Sequence, residues 1–140
     1  METNAASRFI YSTLSADTQL TALVGTRIFE TRRPSPTTPF PCVISQLQAA
    51  GDDMMGVGPY RIWSSLLFLV RGITEQTSYE GNAATIADRI DAALHAKSGT
   101  NVAGTVWSIV RERPFIMAEI VDGREFRHAG GLYRIQASKA

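Results

Sequence analysis

The run Arg61-Ile-Trp-Ser-Ser-Leu-Leu-Phe-Leu-Val-Arg-Gly-Ile73 decides the fold. Side chains alternate across a strand, so Ile62, Leu66, Phe68 and Val70 share one face and Trp63, Leu67 and Leu69 the other. Both faces are apolar through the middle, which predicts a strand covered on both sides. Its five-residue apolar core, Leu66 to Val70, is far shorter than the roughly 20 residues a membrane helix needs.

Downstream, residues 78–97 read as a helix. Tyr79, Ala83, Ile86, Ala87, Ile90 and Leu94 recur at steps of three or four. Thr77 and Glu80 fit a capping box at its start, His95 and Lys97 suit the negative end of its dipole, and Gly99 is a natural stop. Two further strands are expected over residues 105–113 and 115–121. Asp122-Gly123 is a hairpin turn signal, Gly130-Gly131 suggests a bulge or second turn, and residues 132–137 form a last strand.

Upstream, the loop from Gly51 to Pro59 holds three glycines, a proline, Asp52 and Asp53, and an unusual Met54-Met55 tip. Before it, residues 42–49 form a strand with Val43 and Leu47 on one face and Ile44 on the other. The stretch from Arg32 to Pro41 contains Pro34, Pro36, Pro39 and Pro41. Proline fixes φ and lacks a ladder donor, so this is an extended loop. A short strand at residues 27–30 precedes it. Two short helices open the chain: residues 4–14, with Phe9, Ile10 and Leu14 as a stripe, and a second that starts at Ser15 or Asp17 and ends at Gly25.

The expected fold is α+β, a mostly antiparallel sheet packed against one long central helix, with short N-terminal helices. The 140 residues read as one domain, and a chain of this size buries a proper core. The sequence does not decide whether the N-terminal helices or a neighbouring subunit cover the second face of the sheet.

Composition narrows the function. A net charge of +1 gives none of the basic excess of a DNA-binding domain, and Arg32 with Arg33 reads as a solvated loop pair rather than a phosphate clamp. The lone Cys42 permits no internal disulfide or cysteine-rich zinc site and reads as a small buried residue. The N-terminus shows no apolar stretch of signal-peptide length, so a soluble protein in a reducing compartment is expected. No catalytic constellation converges. His95 and His128 read as surface residues, Asp88 with Asp91 as exposed helix charge, and Asp52 with Asp53 as solvated loop. Trp63 and Trp107 read as core or interface. No phosphate loop, nucleophile elbow or helical zinc motif occurs. Neither a catalytic residue nor a cofactor or metal is predicted.

Four stretches in order resemble small phage tail-completion proteins: residues 17–29, the proline-bounded strand entry at residues 39–44, the helix at residues 83–94, and the closing residues 127–135. The resemblance covers most of the chain, from about residue 5 to 137. The likeness is to the lambda-type tail terminator. It implies a non-enzymatic virion subunit without a cofactor, forming a hexameric ring at the head–tail junction. Such a ring caps the tail tube, ends its polymerisation and meets the head connector or stopper protein. It implies no membrane and no specific nucleic-acid recognition, although the genome passes through the ring. On this reading Arg32 and Arg33 in one loop, and Asp52, Asp53, Met54 and Met55 in the other, are candidate contact residues. Another neck protein of similar fold, or a small ligand-binding module, fits the same residues.

Overall fold

The computed structural model describes residues 1–54, 61–75 and 82–140. Helices α1 (Glu2–Ala16) and α2 (Thr18–Val24) are followed by strands β1 (Ile28–Glu30), β2 (Cys42–Met54) and β3 (Arg61–Thr74). Helix α3 (Asn82–Leu94) then leads to β4 (Gly99–Asn101), β5 (Gly104–Val121) and β6 (Arg124–Lys139). The strands form one sheet in the order β1-β2-β3-β6-β5-β4. Its pairs are antiparallel except β1–β2, which is parallel, so the sheet is mixed.

No single long helix dominates. The expected helix over residues 78–97 is seen as α3, 13 residues long, and α1 at 15 residues exceeds it. The capping box of Thr77 and Glu80 lies outside the described residues. At the other end Ala96 turns left-handed (φ 63°) and donates its N–H to the Ile109 carbonyl, which stops the helix before Lys97.

All three helices pack on the same face. Ala6, Ile10 and Leu14 of α1, Leu20 and Val24 of α2, and Ile86, Ile90 and Leu94 of α3 join one cluster with Leu66, Phe68 and Val70 of β3 and Tyr133 and Ile135 of β6. Spacing explains this: each helix buries residues three or four apart, and β3 turns alternate ones, Leu66, Phe68 and Val70, to this face. Gly72 lets α3 approach closely, since a Cβ there would sit 2.3 Å from Ile86 Cγ2. The corner between α1 and α2 is pinned by Asp17, whose Oδ1 accepts from the N–H groups of Gln19 and Leu20 at 3.0 Å each. Its Oδ2 takes Arg89 of α3 at 2.8 Å. The sheet curls around α1: Glu30 of β1 and Asn101 of β4, at opposite ends of the strand order, line one groove with Arg8 and Tyr11 of α1.

Two expected breaks are absent. The strands at residues 105–113 and 115–121 are one 18-residue strand that runs through Pro114. Proline is tolerated because β4 pairs β5 only as far as Val106, leaving an outer edge without a ladder to interrupt. Gly130 and Gly131 stand inside a continuous β6. They serve close approach rather than a turn: a Cβ on Gly130 would lie 2.0 Å from the Val70 carbonyl oxygen. The Asp122-Gly123 turn is present, with φ of 52° and 76°, as a two-residue hairpin with both centres left-handed requires.

Candidate assembly interface

With all three helices on one side, the opposite face of the sheet is left to its own side chains. Pairing places Leu67 opposite Arg134, Leu69 opposite Leu132, and Met117 opposite His128 there. Leu67, Leu132, Phe115 and Met117 are half-buried and Val110 is exposed, so the middle of this face is only partly covered. Among the described residues only its lower end has a lid. Cys42, Ile44, Ile73 and Phe126 form a second cluster there, closed by Phe29 and Phe40.

That lid is the proline-rich loop, which is built rather than loose. Phe40 and Phe126 pack with ring centroids 4.9 Å apart, and Arg33 stacks its guanidinium 4.3 Å above Phe40. Arg33 also donates to the Thr38 carbonyl at 2.9 Å, and Arg27 Nε donates to the Pro41 carbonyl at 2.8 Å. The Phe40–Pro41 peptide is cis. Of the predicted contact pair, Arg33 therefore faces the loop's own ring and carbonyls, and Arg32 is the exposed member.

The second predicted loop begins later than the sequence suggests. Asp52 and Asp53 belong to β2, which extends to Met54, and Met55 lies outside the described residues. Asp52 accepts from Ser64 Oγ and Asp53 from Trp63 Nε1, both at 2.7 Å. These cross-strand bonds to β3 hold the segment in the ladder. The structure does not bring the two predicted groups together. They stand apart along β2: Thr31 donates its N–H to the Ser45 carbonyl, and Asp52 lies seven residues further up the strand, roughly 23 Å at about 3.3 Å per residue.

The residues that sequence reasoning treated as inert divide in two. Cys42 is fully buried, and desolvation pushes its thiol up to about 11, against the pull of the Arg33, Arg27 and Arg71 charges. His128, expected at the surface, is 3% exposed. Its Nε2 lies 2.8 Å from Glu119 Oε1. Burial lowers its pKa, the Glu119 carboxylate pulls it back up, and the Arg71 charge lowers it further. Asp91 is no free helix charge either: Tyr133 donates its hydroxyl to it at 3.2 Å and Arg111 lies 3.5 Å away. His95 Nδ1 accepts the Arg111 N–H at 3.1 Å and so ties α3 to β5. Among the described residues no group of three or more His, Cys, Asp or Glu could hold a metal ion. None of their helices is long and apolar enough to cross a membrane.

The sheet also ends in open edges. Beyond Ser45, β2 has no strand neighbour on its outer side among the described residues, and β5 has none beyond Val106, although the end of α3 holds the Ile109 carbonyl and the Arg111 N–H and leaves that edge bare only from Glu112 onward. Large apolar side chains stand bare beside both: Leu47 at 41% exposure on β2, and Ile116 and Ile120 at 65% and 69% on β5. Sequence reasoning saw these residues as strand residues but not as edge residues. Edge position depends on strand order, which no local pattern encodes.

A subunit with a half-bare face and two bare edges is shaped for assembly, and the comparisons say which kind. The family profile described as tail completion protein gp17 matches residues 8–136. The chain belongs to that family. It is a structural protein of bacteriophage tails, located in the virion tail. A solved structure titled "Virion of native gene transfer agent (GTA) particle" contains a chain of the same fold, with a TM-score of 0.75 at 21% identity. The match covers 99% of this tail-completion protein and 98% of that chain. No curated protein sequence matches it significantly.

Proposed function

We propose that this tail-completion protein is the tail terminator. Six copies form a ring that caps the tail tube, stops its polymerisation and then meets the head connector or stopper protein at the head–tail junction. The observation that carries the reading is a subunit whose two bare edges differ from one another. A ring needs a heterologous contact, in which one patch meets a different patch on the next copy. Leu47 on one edge and Ile116 with Ile120 on the other are such unlike patches.

The two predicted contact groups support the same role. Because they stand roughly 23 Å apart along β2, a ring with its axis along the strands carries the two groups towards different rims. One rim is then available to the tube and the other to the connector, with the genome passing between. Arg32 serves one rim, and Asp52 and Asp53 the other. The protein acts by shape and contact, without catalysis.

Negative-stain microscopy of the purified protein, alone and with headless tails of the same phage, tests this. Rings, or extra density at one tail end, are expected, and tube length becomes fixed when the protein is added during assembly. Tails of uncontrolled length in its presence would rule the terminator role out. Density on isolated heads but never on tails would assign the protein to another position in the neck.

A further inference from the structure

Resting on the ring reading, we infer that adjacent copies join edge to edge. The outer edge of β5 in one copy pairs antiparallel with the free part of β2 in the next, Leu47 opposite Ile116 and Asp52 opposite Arg111. The occupant of each bare edge is thus a second copy of this chain.

Direction comes first. Through the antiparallel pairs β2–β3, β3–β6 and β6–β5, strands β2 and β5 run opposite ways within one subunit. In a ring with its axis along the strands every copy points the same way, so β5 of one meets β2 of the next antiparallel. Both edges are open where this register needs them, β2 from Gln46 onward and β5 from Glu112 onward; at Ile109 and Arg111 the outer backbone groups of β5 are taken by Ala96 and His95, so the ladder ends beside Arg111 and Asp52 meets it by its side chain. The apolar residues lie on one common face: Leu47 pairs with Phe68 of the main core, and Ile116 lines a groove with Ala84 and Ala87 of α3. An unprotected edge bearing exposed isoleucines is a template for strand addition.

Charge then selects the register. Each strand carries one bulge in this stretch, at Gln48 in β2 and Glu112 in β5. The two bulges cancel when the strands are laid side by side, so Leu47 against Ile116 sets Asp52 against Arg111. Both lie on the helix-bearing face, since Ala50 pairs with Leu66 and Arg111 with Tyr133. Opposite charges directly across a ladder favour the pairing. Shifting Leu47 to Ile120 would instead set Asp52 against Ile116.

Geometry agrees. Within one subunit Leu47 is level with Arg111, by way of Phe68 and Tyr133, and Ile116 lies lower, level with Ala129. That drop of four β6 residues is about 14 Å, and the four strand spacings from one copy to the next are about 19 Å. The resulting slope of about 35° falls at the lower limit of the roughly 35–45° tilt of closed barrels. The Ile120 register doubles the drop and requires about 55°, outside that range.

The test is disulfide trapping on tail-bound protein. Directly opposed residues have Cβ atoms within disulfide reach, so Leu47→Cys with Ile116→Cys should oxidise into a ladder of linked subunits, about tenfold more efficiently than Leu47→Cys with Ile120→Cys. Native Cys42 is buried and does not compete. Separately, Asp52→Lys and Arg111→Glu should each reduce ring yield, and the double swap should restore it. Within one subunit the two residues stand on strands separated by β3 and β6, so rescue by exchanging their charges requires contact between copies. Rings visible by microscopy without the 47–116 crosslink would overturn this pairing and leave the ring reading standing. Dimers from Ile116→Cys alone would overturn it in favour of β5–β5 contact. No ring and no tail cap under any condition would overturn both readings.

Discussion

Gly130 is the position where the backbone alone forbids a side chain. A Cβ built there lies 2.0 Å from the Val70 carbonyl oxygen, 2.6 Å from Arg71 Cα and 2.9 Å from Val70 C. All three are backbone atoms of β3, directly across the β3–β6 ladder, where Gly130 pairs with Arg71. No rotamer change relieves the clash, so Gly130→Ala has to push β3 and β6 apart at the centre of the sheet. Overpacking costs about 1–3 kcal/mol, and a rigid obstacle puts this case at the upper end, about 3 kcal/mol. For 140 residues the unfolding entropy is about 0.3 kcal/mol/K, so the melting temperature should fall by about 10 °C. Gly131→Ala is the internal control. Its nearest obstacle is Arg111 Cδ at 2.8 Å, part of a flexible side chain that can move, so the shift should stay under about 3 °C. Calorimetry of the two variants beside the parent decides the matter. Equal shifts, or a Gly130→Ala variant as stable as the parent, would refute the close-approach argument.

Three further outcomes follow from the buried polar groups. Asp17→Ala removes both the α2 cap and the Arg89 partner and should cost about 2 kcal/mol by denaturant titration. Burial alone would raise the Asp17 pKa, but the Leu20 N–H, Arg89 and the Gln19 N–H outweigh it and hold it below 3.8. Its contribution is therefore complete above that value and disappears as pH falls through the lower folded value, a loss absent in the alanine variant. The His128 pKa is lowered from 6.5, chiefly by burial, so the unfolded state takes up protons first and stability should fall as pH drops through 6.5. Thermal melts between pH 7.5 and 5.5 on the parent and on His128→Gln should show a slope only in the parent. Cys42 should resist maleimide at pH 8 in the folded protein and react fully in denaturant, because its thiol is buried and pushed up to about 11. Rapid labelling of the native protein would contradict the closed lid.

Elements governed by local pattern were legible in the sequence. The alternation from Leu66 to Val70, the helical spacing of Ile86, Ile90 and Leu94, the Asp17 cap and the Asp122-Gly123 turn each carry their own signal, and each stands in the structure. What the sequence hid depends on partners far along the chain. Pro114 looks like a strand break until β5 proves to be an edge. Gly130 looks like a turn until Val70 is seen across the ladder. His128 sits among polar neighbours in sequence, but β6 sets it between Ile73 and Met117 on the neighbouring strands, residues far from it along the chain or across the hairpin, where it is buried. The candidate contact residues were half legible. Loop composition singled out Arg32, Arg33, Asp52 and Asp53, but not that Arg33 turns inward or that both aspartates lie in a strand.

The same distinction explains why this fold belongs to an assembly. A sheet with helices on one side can satisfy its core within the subunit, and the main cluster does so, with Tyr133, Ile10, Leu66 and Ile135 fully buried. The second face receives only a lid at one end, although the residues beyond that lid, Leu67, Leu132, Phe115 and Met117, are as apolar as core residues. A monomer made for life in solution would place polar side chains there and blunt its edges with charge. Here the partial blunting falls on the upper half of the β5 edge, at Arg111, Glu112, Arg113 and Pro114. The lower half, from Phe115 to Val121, has one charge in seven residues. Charged and bare halves on one strand edge give a neighbour a direction and a register as well as a surface, and the proposed ring, which has to close with a fixed number of copies, needs both.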